Sequence, residues 1–215
     1  MPPPRLTRAV IVETAFEVLD EVGIEGLTVR VLAAKLGVKA PALYWHLDSK
    51  QALLDAMGTE IAARINAALD DADAEGAEED ADLAAALRTY AHAMRTEYLR
   101  HRDGARTFSG TRLTDPTQLN RQEPLLARWL ERGYTVEELT DRFEVVTAWV
   151  VGFVIEEQER TQSTPDRYDL ATRDAAVGDD SPLTTASGHH LYRPADQKFA
   201  EQLGLILTGL TPSPR

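Results

Sequence analysis

Cysteine is absent from the 215 residues of the chain. That absence excludes disulfide scaffolds, thiol nucleophiles and cysteine-ligated metal centres together. Basic charge is scarce: 23 lysines and arginines face 35 aspartates and glutamates, for a formal net charge of −12. Taken over the whole chain, this balance argues against general nucleic-acid binding, because phosphate attraction requires positive charge. Long hydrophobic runs are missing too. The longest, Val145–Ile155, covers eleven residues, against about 20 for a bilayer-spanning helix. The N-terminal MPPPRLTRAV lacks the apolar stretch of an export signal, so a cytoplasmic protein without a membrane partner is expected. Catalytic signatures are also lacking: there is no G-x-S-x-G elbow, P-loop, G-x-G-x-x-G or H-E-x-x-H. The Glu-x-x-His pair of di-iron bundles is absent, so Glu156, Glu157 and Glu159 are not half of such a site. Neither catalytic residues nor a cofactor nor a metal site is expected, and His189–His190 reads as an exposed loop pair.

What is present is a foldable, unevenly charged chain. Hydrophobic residues make up 43% and charged residues 27%, enough for a sizeable core in one large domain or a small domain fused to a larger one. Residues 1–50 hold six basic groups (Arg5, Arg8, Arg30, Lys35, Lys39, Lys50) and six acidic ones, so the whole excess of negative charge lies beyond them. Eight acidic residues and no basic one fall between Asp70 and Asp82, the pattern of a solvated linker.

The apolar spacing is helical throughout, and the fold class is all-α. Ile11, Ala15, Val18, Leu19 and Val22 share one face of a helix ended by Gly23. Thr28 is placed to cap a short helix, with Leu27 and Leu32 as a hydrophobic staple and Gly37 as its left-handed terminator. A third short helix runs through Pro41, Leu43 and Trp45, with Trp45 read as core. Asp48 and Gln51 are spaced as the capping box of a longer helix striped by Leu54, Met57, Ile61 and Ile65. Further helices are expected over Leu83–Leu99, Leu119–Glu131 and Val136–Gln158, with a turn-rich stretch from His101 to Asp115. Residues 160–194, polar and interrupted by prolines, read as a long loop with one helical turn near Tyr168–Ala176. Phe199, Leu203, Ile206 and Leu210 form a last stripe.

Residues 28–50 carry the strongest functional signal. Helix, glycine-containing turn and short helix is the spacing of a helix-turn-helix, whose second helix enters the DNA major groove. Arg30 and Lys39 are the base-reading candidates, because their side chains can donate to guanine O6 and N7. Thr28, Tyr44, His46 and Lys50 are phosphate-contact candidates by type and position. In the body, Leu139, Phe143, Val146, Val150 and Phe153 step by four, three, four and three, as in a helix-against-helix seam. That seam, with the Phe199–Leu210 stripe, is read as a four-helix interface between two subunits; a helix buried within one subunit is the alternative.

The segment EVGIEGLTVRVLAAKLGV (21–38), followed by APALYWHLDSKQALLDAM, closely resembles the DNA-binding domain of TetR-family transcriptional repressors. HRDGARTFSGTR (101–112), LERGYT (130–135) and GFVIEEQE (152–159) resemble the effector domain of the tetracycline repressors within that family. The resemblance implies a homodimer that binds a palindromic double-stranded operator and is released by a small molecule. It implies a helix-turn-helix head over 1–48, a connecting helix over 49–70 and an effector-binding, dimer-forming body over 71–215. The contrasting reading is a helical small-molecule-binding protein or enzyme without a regulatory role.

Where the tetracycline repressors hold a drug–magnesium complex, this chain departs from them. The histidine before their small-Gly-Thr-Arg turn corresponds to Phe108, which cannot ligate a metal. A second ligand-contacting histidine corresponds to Asn66. Their asparagine and phenylalanine on the next helix correspond to Tyr90 and Met94, and a glutamine corresponds to Leu125. Thr111, Arg112 and Glu156 are kept. The resemblance therefore implies a hydrophobic, ring-containing effector bound without metal by these residues and Trp149. In the head, Ala40 and Ala42, flanking Pro41, replace a glutamine and a threonine. A bidentate adenine contact is lost while contact with a thymine methyl remains open. Lys39 replaces an acid, and a different operator is expected.

Overall fold

The computed structural model describes residues 6–74 and 82–210. The Glu75–Ala81 part of the acidic run lies outside the described residues. Within them the chain is helical, with no strand. Helix α1 (Arg8–Gly26) starts where Thr7 accepts the Val10 amide, and it kinks at Gly23 (φ 72°, ψ 175°). Gly23 therefore interrupts the helix rather than ending it, since one more turn follows before Leu27. That backbone is one only glycine adopts cheaply. Thr28 caps α2 (Val29–Lys35) by accepting the Val31 amide, and Gly37 turns the chain with φ 68°. Helix α3 (Ala40–Tyr44) follows with Pro41 in its first turn.

The long α4 (Lys50–Ala74) begins at Ser49, whose Oγ accepts the Ala52 amide at 3.0 Å. The expected Asp48/Gln51 box does not form; Gln51 instead donates to Asp55 on its own helix. A serine directly before the first helical residue reaches the third amide with less chain than Asp48 needs. The helix also runs past residue 70 into the acidic stretch.

The body comprises α5 (Leu83–Leu99), α6 (Gly104–Phe108), α7 (Pro116–Asn120), α8 (Gln122–Glu131), α9 (Val136–Gln162) and α12 (Ala195–Leu210). Between the last two come a 3-10 turn (Pro165–Tyr168), α10 (Leu170–Val177) and α11 (Pro182–Leu191). The expected loop over 160–194 is thus mostly helical. Its signals are terminal rather than periodic: Asp169 caps α10 through the Thr172 amide, Gly178 ends it at φ 76°, and Pro182 opens α11. His189 and His190 sit in the last turn of α11, with His189 Nε2 2.6 Å from Asp174.

One core joins head and body, from Ile11, Phe16 and Leu32 through Leu43, Met57 and Ile61 to Leu87, Tyr98, Val150 and Phe199. Two expectations are corrected here. Trp45 is 89% exposed, because a five-residue helix has one inward position and Leu43 fills it. The seam residues Leu139, Val146, Val150 and Phe153 are buried inside the subunit, with Phe199 and Leu203 of α12. The outward face of these helices carries Val145, Ala148 and Gly152 on α9 and Leu205 on α12, the last 75% exposed.

Candidate nucleic-acid interface and effector cavity

The head presents its donors on one short unit. Arg30 on α2, Lys39 before α3, Pro41, Tyr44 and His46 are exposed, while Ala40 and Ala42 are half-buried along α3. The Thr28 hydroxyl is exposed but already accepts the Val31 amide, so any phosphate contact would use its proton. Lys50 Nζ donates to the Ile24 carbonyl at 3.2 Å, which fixes the ammonium at the junction of α1 and α4. Lys35 is held by Glu21 (2.6 Å) and Glu17 of α1. Trp45, missed as a surface group, adds a large exposed ring beside Tyr44. No periodicity could have found it, since α3 is too short to show one.

A cavity of about 340 Å³ opens between α4, α5, α8 and α9. Of the nine expected ligand residues, Asn66, Tyr90 and Leu125 line it. The Asn66 amide donates to Gln118 Oε1 at 2.9 Å. The Tyr90 hydroxyl lies 3.0 Å from Thr147 Oγ1, its ring edge-on to Phe143. Burial pushes the Tyr90 pKa up against the opposing hydrogen bond, so the phenol stays neutral. The structure also brings Asp70, Arg121, Arg128 and Phe143 to this cavity, none of which the comparison with relatives singled out. Arg121 forms an ion pair with Asp70.

The other expected residues stand elsewhere. Met94 is buried behind Tyr90, within reach of Thr147. Trp149 packs against Phe153 and Phe199. Phe108 lies 5.3 Å from the Tyr98 ring, and the Tyr98 hydroxyl is buried without a hydrogen-bond partner among the described residues. Thr111 donates to the Phe108 carbonyl at 2.7 Å and packs so close to Gly58 that a methyl group there would collide with it. The Arg112 guanidinium is 86% exposed and pairs with buried Asp55 of α4. Glu156 faces outward one turn beyond Gly152 and lines a separate cleft near Tyr168 and Tyr192. Phe108 has no ligating atom, and within one subunit Glu156 lines a different cleft from Asn66.

Head and body are clasped by the turn between α5 and α6. His101 Nδ1 lies 2.9 Å from Asp20, its ring stacks on Phe16 at 4.4 Å, and its Nε2 lies 3.2 Å from Arg64. Arg64 in turn donates to Glu13 of α1 at 2.6 Å. Asp103, at φ 54° in the left-handed region, accepts the Ile24 amide at 2.9 Å, just beyond the Gly23 kink. The buried Gln158 amide holds this turn from the other side by donating to the Tyr98 and His101 carbonyls. On α4, Asp55 accepts Gln51 Nε2 and the Arg112 amide. Burial raises its pKa, but these bonds and the Arg112 charge outweigh that effect and hold the carboxyl below its usual range.

A reading head, an internal cavity and a continuous helix touching both define a ligand-responsive helix-turn-helix regulator. Residues 11–57 match the family model described as "Bacterial regulatory proteins, tetR family", and residues 75–213 match "Tetracyclin repressor-like, C-terminal domain". The chain belongs to the tetR family of bacterial transcriptional regulators. It is 39% identical over 170 residues to the class D tetracycline repressor protein of Escherichia coli, covering 76% of this chain and 72% of that one. To the class C protein of Escherichia coli it is 33% identical over 206 residues, covering 96% and 91%. A possible TetR family transcriptional regulator from Streptomyces coelicolor A3(2) superposes with a TM-score of 0.78 at 34% identity, covering 95% of this chain and 98% of that one. A variant of TetR from Acinetobacter baumannii AYE in complex with minocycline gives 0.71 at 30% identity, covering 95% and 96%. Like its relatives the chain is a DNA-binding, ligand-responsive regulator. No helix among the described residues is long and apolar enough to cross a membrane.

Proposed function

We propose that the chain is a cytoplasmic homodimeric repressor. Its head (1–48) reads a palindromic operator, its connecting helix spans 49–70, and its body (71–215) binds a small ring-containing effector without metal. The observation that carries this reading is the reach of α4, from Lys50 under the head to Asn66 in the cavity wall. Arg30 and Lys39 would read guanines, Ala40 and Ala42 thymine methyls, and Pro41 would shape the approach of α3. Thr28, Tyr44, His46 and Lys50 would hold the phosphates, with Trp45 beside them. Asn66, Tyr90 and Leu125 would contact the effector directly. Met94, Phe108, Thr111, Arg112 and Trp149 would act from behind the cavity wall or through α4. Glu156 stands in line with Val145, Ala148 and Gly152, so it would meet a ligand only across a dimer interface. Two subunits meeting through that face and Leu205 would bury apolar surface that one subunit leaves in water. The dimer also doubles the base pairs read, which one five-residue helix could not make selective.

The test is anisotropy titration of DNA from beside the chain's own gene against random duplex. Arg30→Ala is expected to cost about 1–3 kcal/mol on the operator and to relax selectivity at one base pair per half-site. An equal loss on random DNA would make Arg30 a phosphate contact only, and binding to neither duplex at low salt would favour a non-regulatory helical binder.

A further inference from the structure

The cleft that Glu156 borders lies between the last turns of α9, the 3-10 turn, the end of α11 and the start of α12, and encloses about 220 Å³. It shares no residue with the cavity at Asn66. We propose that this cleft binds a phosphoryl group, on a small metabolite or as free phosphate, through Arg160 and Lys198. Its charged lining is Arg160, Arg193, Lys198, Glu156 and Glu157. Glu157 gives both oxygens to Arg95, at 2.6 and 2.9 Å, and Arg193 Nε donates to Glu201 at 2.9 Å. Arg160 and Lys198 form no ion pair among the described residues, and Glu156 stands exposed at the rim, paired with neither. Arg160 Nη1 donates to the Leu191 carbonyl at 3.4 Å, while its Nε is buried without an acceptor. The guanidinium otherwise meets only rings, 5.0 Å from Tyr192 and 6.0 Å from Tyr168, and the Lys198 ammonium lies 5.4 Å from Phe153. Ring faces attract cations but offer no acceptor oxygen. Burial, then the Arg160 and Arg193 charges, push the Lys198 pKa down against the pull of Glu156 and Glu157. Two half-buried cations from different helices therefore face one cleft without a carboxylate of their own.

A phosphate monoester matches that arrangement. It carries a charge of about −1.5 to −2 near neutral pH and three strong acceptor oxygens, against two unpaired cations. Tyr168 and Tyr192, also in the lining, each bring a hydroxyl able to donate. The volume is below the roughly 300–1,000 Å³ of sites for drug-sized ligands, so the molecule is small. Arg160 stands on α9 and Lys198 on α12. A bound phosphoryl group would tie together the two helices that carry Gly152 and Leu205 on the proposed dimer face. The site itself does not rest on that face being the interface.

Three probes test this on the full-length protein by isothermal titration calorimetry at constant ionic strength: phenyl phosphate, inorganic phosphate and benzenesulfonate. Phenyl phosphate should bind at least about 10-fold more tightly than benzenesulfonate, which offers a similar oxyanion with a single charge. Tighter binding of phenyl phosphate than of inorganic phosphate assigns the site to a monoester, and the reverse assigns it to free phosphate. Lys198→Gln and Arg160→Gln should each weaken phenyl phosphate at least about 10-fold, while Lys35→Gln, which removes a cation from the head, should leave it unchanged. Arg160 also packs against two rings, so Lys198→Gln decides the matter if Arg160→Gln does not fold. Binding of neither phosphate probe, or equal affinity for benzenesulfonate, would overturn the proposal. So would binding that survives Lys198→Gln, which places the anion elsewhere, such as on the head. Loss of phenyl phosphate binding on Leu125→Trp would place the probe in the cavity at Asn66 and equally overturn it.

Discussion

Head and body bury comparable apolar residues but hold their charges in opposite ways. The head has helices of 19, 7 and 5 residues, and its cations stand in water or in exposed pairs such as Lys35–Glu21. Helices as short as α2 and α3 are not stable alone. They persist through the Thr28 cap, the Gly37 turn and Leu32 and Leu43 inside. The body instead buries an ion pair. Arg95 of α5 donates twice to Glu157 of α9, at 2.6 and 2.9 Å, and once to Asp196 at the start of α12, while its guanidinium lies 4.9 Å over Phe199. Exposed cations suit a surface that must exchange water for phosphate. A buried pair suits a frame whose helices must keep their register while a cavity beside them fills and empties.

That contrast can be broken from either side. The largest effect is expected from Leu205→Glu, which places a charge on the outward apolar face. It should give folded monomers by sedimentation velocity and reduce operator affinity by about 10²–10⁴-fold, the usual gain from linking two binding modules. An intact dimer would move the interface elsewhere. Next, Glu157→Ala leaves the largely buried Arg95 guanidinium with the exposed Asp196 as its remaining acidic partner and should cost about 2 kcal/mol in chemical denaturation, whereas Lys35→Ala in the head should cost under about 1 kcal/mol. Equal losses would erase the distinction. At the junction between the two regions, the depressed Asp55 carboxyl contributes stability in full above its unfolded pKa of about 3.9, and that contribution is lost as pH falls through the lower folded value. Asp55→Asn should therefore lower the melting temperature at neutral pH and converge with the native chain as pH falls through the folded value, which flattens the acid limb of the profile. The smallest effect is expected at Tyr98. Its buried hydroxyl has no hydrogen-bond partner among the described residues, so Tyr98→Phe should stabilise the body by about 1 kcal/mol.

Helix periodicity, the Thr28 cap and the Gly37 turn were legible in the sequence because each is a local signal. Leu83–Leu99 needed no revision at all. Tertiary consequences were not legible. The seam on α9 has the spacing of helix contact, but spacing does not say whether the contacting helix belongs to the same subunit, and burial assigned it to α5 and α12. The stretch over 160–194 was misread because α10 and α11 are short and largely polar, with caps as their only sign. Of the positions carried over from the relatives, Asn66, Tyr90 and Leu125 line one cavity. That comparison was blind to Asp70 and Arg121, whose meeting depends on two segments 51 residues apart.

The central claim is that filling the body cavity repositions the heads through α4. With no native cysteine, a single Ala34→Cys on the exposed side of α2 gives one spin label per subunit. The separation between the two labels can be measured by double electron–electron resonance in the dimer with and without Leu125→Trp. The account predicts a shift of several ångströms in the distance distribution when the cavity is filled, with loss of the operator-competent spacing. Superimposable distributions, with operator affinity unchanged, would contradict it.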